Sequence, residues 1–427
     1  MLEKILRIIE RLVPKRVYRF FQPTYHLTLA LIGAILFRFP SRHIAVIFVT
    51  GTKGKTSTTE ILNNIFEAHD AKTAVLGTLR FKVGEKNVRN LRKMTIPGRF
   101  FVQKFLRDAV DAHCDYAIIE MTSEGAKQFR NRFIEADALI FTNLAPEHIE
   151  SHGSYEAYRN AKLSIVHVLS RSTKPRRLMI ANVDDVVGEQ FLNIPNVTAV
   201  PFSLRDGEPV IVDDHHVSLT FKGEILKAPL GGRFNAYNIL GAAMCASMFS
   251  VPLEAIRRGV GNTKLIEGRM EHIDEGQSFP VVVDYAHTPD SLEAVYQSFA
   301  GFEKICVLGN TGGGRDKWKR PLMGSIAEKY CAHIILTNED PYNEDPLEIL
   351  KQMQEGMGIT KPDIILDRRE AIAHALALAG ATKNPAVLIT GKGTDPFIMG
   401  PNGTKQKWDD REVVREELKK GHSPKYP

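Results

Sequence analysis

The segment Gly51-Thr52-Lys53-Gly54-Lys55-Thr56-Ser57 has the residue types needed to grip a phosphate chain. Two glycines allow a tight turn and a close approach of backbone N–H groups to an anion. Lys55 can reach the β- and γ-phosphates of a nucleotide, and the Thr56 hydroxyl can ligate Mg²⁺. Only Thr52 and Lys53 separate the glycines, so the loop is shorter than G-x-x-x-x-G-K-[ST]. The alternative is a chance glycine turn. Against it, a β-rich run (His43–Val49) precedes the loop and an amphipathic stretch (Thr56–Glu67) follows it. A helix N-terminus there adds partial positive charge.

Candidate metal ligands lie further along. Ile118-Ile119-Glu120 places a carboxylate at the end of an expected strand, Asp115–Ile119, and Phe141-Thr142-Asn143-Leu144 ends the next, with Glu147-His148 beyond it. Carboxylate, hydroxyl and phosphate oxygens suit Mg²⁺, a hard cation that keeps several waters. Taken singly, Glu120 reads equally well as an ordinary strand-end carboxylate and His148 as a surface histidine.

These residues need a scaffold, and the 427-residue chain is long enough for two or three domains. Its 43% hydrophobic and 25% charged residues exclude a disordered, collagenous or coiled-coil protein. From His43 onward β-rich runs at 43–49, 73–76, 115–119, 138–141 and 177–180 alternate with helical patterns, which predicts a parallel sheet flanked by helices. Val210–Phe221 reads as a hairpin near the sheet's edge, followed by helices at 235–249 and 252–259. A second alternating series has strands at 281–284, 304–308, 333–337, 363–366 and 386–389 and predicts a smaller doubly wound domain. The expected division is therefore a helical segment at 1–42, a central α/β domain at 43–266 and a C-terminal α/β domain at 267–427.

Cys114, Cys245, Cys306 and Cys331 contain no CxxC pair, which argues against a disulfide scaffold or zinc ribbon and for a reducing compartment. Residues 1–45 carry eight Lys/Arg and two Asp/Glu, and the rest of the chain is balanced at 48 of each. The basic character is thus local, which argues against a nucleic-acid-binding body. Leu2, Ile5, Ile8, Ile9 and Leu12 recur at helical spacing until Pro14, and Leu27–Phe37 is an uncharged run. Eleven apolar residues are too few to span a bilayer, and no small-residue cleavage site follows them. Residues 1–40 form either a helical pair packed on the next domain or a basic amphipathic element resting on an anionic membrane. A cytoplasmic protein, free or at the inner membrane face, is expected.

The string V-T-G-T-K-G-K-T-S-T-T resembles the ATP-binding motif of the Mur ligase superfamily, the ATP-dependent amide-forming enzymes of peptidoglycan synthesis. Further segments continue the resemblance in the family's order along residues 44–415. It implies metal or metal-water contacts for Glu120 and His148. Tyr158-Arg159-Asn160-Ala161-Lys162 resembles a Y-x-x-A-K element, which implies a carbamylated Lys162 that organises Mg²⁺ with Thr56. Gly232–Asn238 resembles G-x-F-N-x-x-N, placing Asn238 near adenine; Gly268-Arg269-Met270-Glu271 resembles G-R-M-E, with Arg269 toward the phosphates. Asp284-Tyr285-Ala286-His287-Thr288-Pro289 is similar to D-Y-A-H-T-P, implying ribose contact for Asp284 and nucleotide contacts for Tyr285 and His287. Arg315–Met323 is similar to R-D-K-x-K-R-P-L-M and adds Lys317 to the nucleotide set. The implied catalytic group is Lys55, Glu120, His148 and Lys162.

The last two strings point to the tripeptide-synthetase branch, whose acceptor is a muramoyl-L-Ala-D-Glu peptide and whose second substrate is a diamino acid. Thr95-Ile96-Pro97 stands for T-T-P and Thr122-Ser123-Glu124-Gly125 for S-S-H-G, and Arg130 falls on an acceptor-binding arginine. Where diaminopimelate-adding relatives read D-N-P-R, this chain has Glu339-Asp340-Pro341-Tyr342, and G-K-G-H-E becomes Gly391-Lys392-Gly393-Thr394-Asp395. The bidentate arginine is missing, and Glu339, Asp340 and Asp395 would surround a terminal ammonium, which favours lysine or ornithine. Those acids also fit solvated loop charges. Forty-odd residues before the first strand are too few for the family's UDP-gripping domain. UDP would then be held differently, or the acceptor would be UDP-free or lipid-linked. Rival readings are a folylpolyglutamate synthetase, whose loop usually reads G-K-G-S; an amidating Mur-type ligase, which would carry a four-cysteine zinc insertion; and a non-catalytic nucleotide-binding protein.

Overall fold

A computed structural model describes residues 15–92, 94–147, 150 and 153–421 of the chain. These fall into two compact units. One comprises the described residues up to Gly51, with Asp70–Phe141 and Arg159–Pro201; the other comprises Thr52–His69, Thr142–Tyr158 and the chain from Phe202 onward.

The first unit is built on strands Ala45–Thr50 (β1), Thr73–Leu76 (β2), Arg80–Val83 (β3), Lys86–Arg89 (β4), Tyr116–Met121 (β5), Ala138–Phe141 (β6), Leu178–Asn182 (β7) and Thr198–Phe202 (β8). They order as β4-β3-β2-β5-β1-β6-β7-β8, with β2, β5, β1, β6 and β7 parallel. Val46 to Val49 are fully buried, because helices cover both faces of a parallel sheet and leave no polar side for alternation. The register sets Val49 opposite Glu120 and Thr50 opposite Phe141, so β1, β5 and β6 end together at the carboxyl edge. The antiparallel β3–β4 hairpin was not expected. Its RFKV and KNVR strands are too charged to read as sheet, and Gly84 (φ +55°) turns the chain between them.

A helix, Lys15–Leu36, begins just after Pro14 and contains Leu27–Leu36. It packs on the helix Arg99–Asp111 through Gly33, where an added Cβ would lie 3.6 Å from both Phe100 and Gln103. Ala30 and Ala34 are buried, whereas Leu27, Leu31, Ile32, Ile35 and Leu36 are 38–63% exposed. The basic helical pattern at 2–12 lies outside the described residues. Among the described residues no helix is long and apolar enough to cross a membrane.

In the second unit the helix Lys55–Ala68 packs against helices Arg233–Met248 and Leu253–Gly261. Gly259 permits the closest approach: a Cβ there would fall 2.3 Å from the Ile65 Cα. Strands Ile211–Val212 (β9), Val217–Phe221 (β10) and Glu224–Ala228 (β11) make an antiparallel sheet of their own. The hairpin at 210–221 therefore exists, in a hydrogen-bonded sheet separate from the large one; its alternating burial fits a strand with one solvated face.

Strands Glu271–His272 (β12), Val281–Asp284 (β13), Glu303–Leu308 (β14), His333–Leu336 (β15), Asp363–Ile364 (β16) and Pro385–Thr390 (β17) order as β12-β13-β17-β14-β15-β16, parallel except for β12. Apolar cores form on both faces, one around Tyr296, Phe299 and Leu388 and the other around Ile305, Ile372 and Val414. This is the expected doubly wound sheet. Cys306 and Cys331 form a disulfide with Cα atoms 6.1 Å apart, while Cys114 and Cys245 are buried and lie outside it. The expectation of a reducing compartment rested on the absence of CxxC spacing, which does not register a pair 25 residues apart.

Candidate active site

β1 runs out into Gly51, and Gly54 caps the helix Lys55–Ala68 in a left-handed conformation (φ +79°). A Cβ at Gly54 would lie 2.3 Å from Asn238 Oδ1. Asn238 is held there because its amide donates to Asn235 Oδ1 (2.9 Å) and its oxygen accepts from Thr58 Oγ1 (3.3 Å). The loop and Asn238 are thus in contact. Thr56 and Ser57 are buried in the first helical turn.

Asn143 braces the loop by accepting from Lys53 N (2.9 Å) and donating to Lys53 O (3.1 Å), while its own carbonyl accepts from Thr52 N (2.8 Å). Tyr158 OH and Thr52 Oγ1 lie 3.0 Å apart. The Lys55 ammonium donates to Thr52 O at 2.8 Å. In the first unit, the buried Lys162 ammonium donates to Gly51 O at 2.7 Å. The aliphatic stem of Lys162 is sealed from water and its nitrogen sits against the start of the loop.

Glu120, 1% exposed, accepts from Thr78 N (2.9 Å) and Thr78 Oγ1 (2.8 Å). Gly77 leaves room for that carboxylate, since a Cβ there would stand 2.4 Å from Oε1. Thr95 Oγ1 lies 3.0 Å from Thr78 Oγ1, so Thr95 connects to Glu120 through one hydroxyl. His148 lies outside the described residues.

Among the acceptor candidates, Thr122 caps the short helix Ser123–Lys127 by accepting from Gly125 N (3.0 Å). Ser123 is buried, and Arg130 donates to the Ile96 carbonyl and to Gln128 Oε1 (2.6 Å). His26 of the N-terminal helix is buried with no partner on either ring nitrogen. Burial, reinforced by Arg99 and Arg130, lowers its pKa to about 4.

The second unit joins the loop to the D-Y-A-H string through Glu147, which the sequence reading had not selected. Its Oε1 is 3.1 Å from Lys53 Nζ and 3.0 Å from His287 Nε2. Burial and the Lys53 charge lower the His287 pKa to about 4, so the ring is neutral at pH 7. Burial also pulls Lys53 below the ordinary lysine range, against the pull of Glu147. Asp284 is buried and both its oxygens accept backbone N–H groups, from Met270 (2.7 Å) and Ala286 (2.6 Å). Burial raises its pKa despite Arg269. The Arg269 guanidinium lies over the Tyr285 ring, 4.3 Å from its centroid.

Three of the expected site residues have partners within the chain. Lys317 is half exposed and paired with Glu344 (3.2 Å); Lys319 is buried and donates to His287 O (2.9 Å). Lys319 is the first residue of the helix Lys319–Tyr330, and Lys317 precedes it. Asp340 and Asp395 do not await an outside ammonium, because Lys392 lies between them at 2.9 and 3.0 Å. Burial opposes that charge, but the two carboxylates overcome it and hold the Lys392 pKa above the ordinary range. Glu339 is different. Thr311 donates to Oε1 (2.7 Å), while buried Oε2, beside Gly391, has no partner. A pocket of ≈ 640 Å³ is lined among others by Asn338, Tyr342, Glu344 and Lys405, without Glu339.

Ammonium groups, loop N–H groups and a helix N-terminus suit the phosphates of a nucleotide. The fold and site thus define an α/β nucleotide-binding protein with a glycine–lysine phosphate loop. Residues 49–246 match the Mur ligase middle domain and residues 268–393 the Mur ligase, glutamate ligase domain, and the chain belongs to the Mur ligase family. It is 33% identical over 406 residues to UDP-N-acetylmuramoyl-L-alanyl-D-glutamate–2,6-diaminopimelate ligase of Bacillus cereus, covering 92% of this chain and 81% of that one. A solved structure of a ligase of the same description aligns over 89% of this chain and 79% of the other, with TM-score 0.60 and 28% identity. Mycobacterium tuberculosis folylpolyglutamate synthase shares the fold at TM-score 0.71 and 18% identity, covering 93% of this chain and 96% of that one.

Proposed function

We propose that this protein is an ATP-dependent ligase of peptidoglycan precursor synthesis that adds a diamino acid to a muramoyl-L-alanyl-D-glutamate acceptor. The observation that carries the reading is the braced phosphate loop with the buried Lys162 ammonium on its Gly51 carbonyl. The resemblance to ligases that act on such an acceptor supports it. In the proposed reaction an acceptor carboxylate oxygen attacks the γ-phosphorus of ATP and ADP leaves. The amine nitrogen then attacks the acyl carbon, losing a proton as phosphate departs. Lys55 would balance the charge developing on the transferring phosphoryl group, and Asn238 would orient adenine. Thr56, Glu120, His148 and Lys162, the last as its carbamate, would hold Mg²⁺, which supplies further neutralising charge. Thr95, Ser123 and Arg130 are proposed to bind the acceptor, with His26 beside them.

Tyr342 in place of an arginine, and the unpartnered Glu339 oxygen, support an amine with a terminal ammonium, lysine or ornithine. The test is ADP formation from Mg-ATP across lysine, ornithine and meso-diaminopimelate, each with UDP-linked and UDP-free acceptors. ADP should form only when acceptor and one of these amines are both present. Formation without either substrate, or none under any combination, would remove the reading. We keep the division at residues 266/267 as a proposal for the boundary between central and C-terminal domains. The exposed apolar row on the helix Lys15–Leu36, next to a basic segment, supports contact with an anionic membrane surface. Flotation with anionic vesicles, lost on Ile32→Glu with Ile35→Glu, checks that contact.

A further inference from the structure

We propose that Asp214, His215 and His272 form a binding site for one divalent transition-metal ion of the zinc class. None of the three is among the residues proposed to bind the nucleotide. One ligand atom from each of the three side chains lies within 4.8 Å of the others. Small rotamer adjustments bring such atoms to the spacing of ligands on one ion. Two imidazoles and a carboxylate are the donor set that zinc, cobalt and nickel favour, whereas Mg²⁺ prefers oxygen alone.

The backbone beneath the site is already built. Asp213 is not a ligand; its Oδ1 accepts from His215 N (2.8 Å) and His216 N (2.5 Å) and fixes the turn between β9 and β10. Gly232 N donates to Asp213 O (3.1 Å), anchoring the turn from the other side. His272 on β12 reaches the same turn, with Nε2 2.9 Å from Asp214 O. His215 Nε2 is 3.5 Å from Asp214 Oδ2, and the rings of His215 and His272 stack with centroids 4.0 Å apart. His215 is exposed, so an ion entering from solvent meets this face first and keeps a water in its remaining position.

The ligands come from both matched segments: Asp214 and His215 from the middle-domain segment, His272 from the C-terminal one. A bound ion would therefore cross-link them, restricting movement about the intervening chain and stabilising the fold by mass action.

The full chain, stripped with a chelator, is titrated with Co²⁺ while visible d–d absorption is followed. Zn²⁺ affinity is then measured by competition with a chromogenic chelator in excess Mg²⁺. One equivalent is expected to bind and to raise the unfolding temperature. His215→Ala and His272→Gln should each weaken the affinity by about tenfold or more, as loss of a direct ligand exceeds the effect of an outer partner. His216→Ala should leave it unchanged, since His216 is outside the set. His215→Ala alters an exposed side chain, so a lost signal there reports binding rather than misfolding. Wild-type affinity in both variants, or no saturable binding by the native chain, would overturn the site.

Discussion

Gly54→Ala tests how tightly the phosphate loop is built. At φ +79° an alanine pays a left-handed penalty of about 1–2 kcal/mol. Its Cβ would also fall 2.3 Å from Asn238 Oδ1, far inside van der Waals contact, and Asn238 is buried. Moving Asn238 aside strains two hydrogen bonds, to Thr58 (3.3 Å) and Asn235 (2.9 Å), at about 1 kcal/mol together given the length of the first. The total is roughly 2–3 kcal/mol. Urea unfolding measures it, and ATP affinity should fall in parallel because Asn238 lies on the adenine side of the proposed site. In an Asn238→Ala background the same change should cost only the backbone part, about 1–2 kcal/mol. If Gly54→Ala is neutral in both backgrounds, the left-handed cap and its contact with Asn238 are wrong.

Lys317→Ala should change kcat/KM for ATP by less than about twofold, because its partner is an exposed-side ion pair with Glu344. Lys319→Ala, which removes the ammonium on the His287 carbonyl, should cost about tenfold or more; steady-state kinetics of the pair would expose the reverse order. Lys162→Ala should be nearly inactive and partly restored by short carboxylates such as acetate, as a carbamate's role requires; restoration by alkylamines instead would mean that the ammonium itself is used. His26 and His287 both have pKa values lowered by burial to about 4. The unfolded chain takes up these protons near pH 6.5, so stability is full above that pH and falls as pH drops towards about 4, by up to about 3 kcal/mol for His287. His26→Leu should flatten part of this acid limb in urea titrations, and equal slopes for wild type and variant would contradict the buried, neutral ring.

The β-branched runs made the sheet legible before any coordinates: Thr73–Leu76, Ala138–Phe141 and Val281–Asp284 fall as expected, and most other strands shift by a residue or two. Charged strands were not legible, because RFKV and KNVR pair by backbone and turn chemistry rather than by an apolar pattern. The phosphate loop could be read because its glycines are needed locally. Glu147, Gly77 and Thr78 could not, since each matters through a partner far along the chain: His287, Glu120 and Thr95 respectively. The acids at 339, 340 and 395 are a different case. Their clustering was foreseen, but the ammonium that neutralises two of them is Lys392, one residue after Gly391 and part of the same string.

The central claim is that the acceptor carboxylate is activated by direct attack on ATP. Acceptor labelled with ¹⁸O in the reacting carboxylate, turned over with Mg-ATP and the amine, tests it through the mass of the phosphate released. An acyl phosphate predicts that the phosphate carries one acceptor oxygen for each amide formed. Amide formed with unlabelled phosphate would contradict the account.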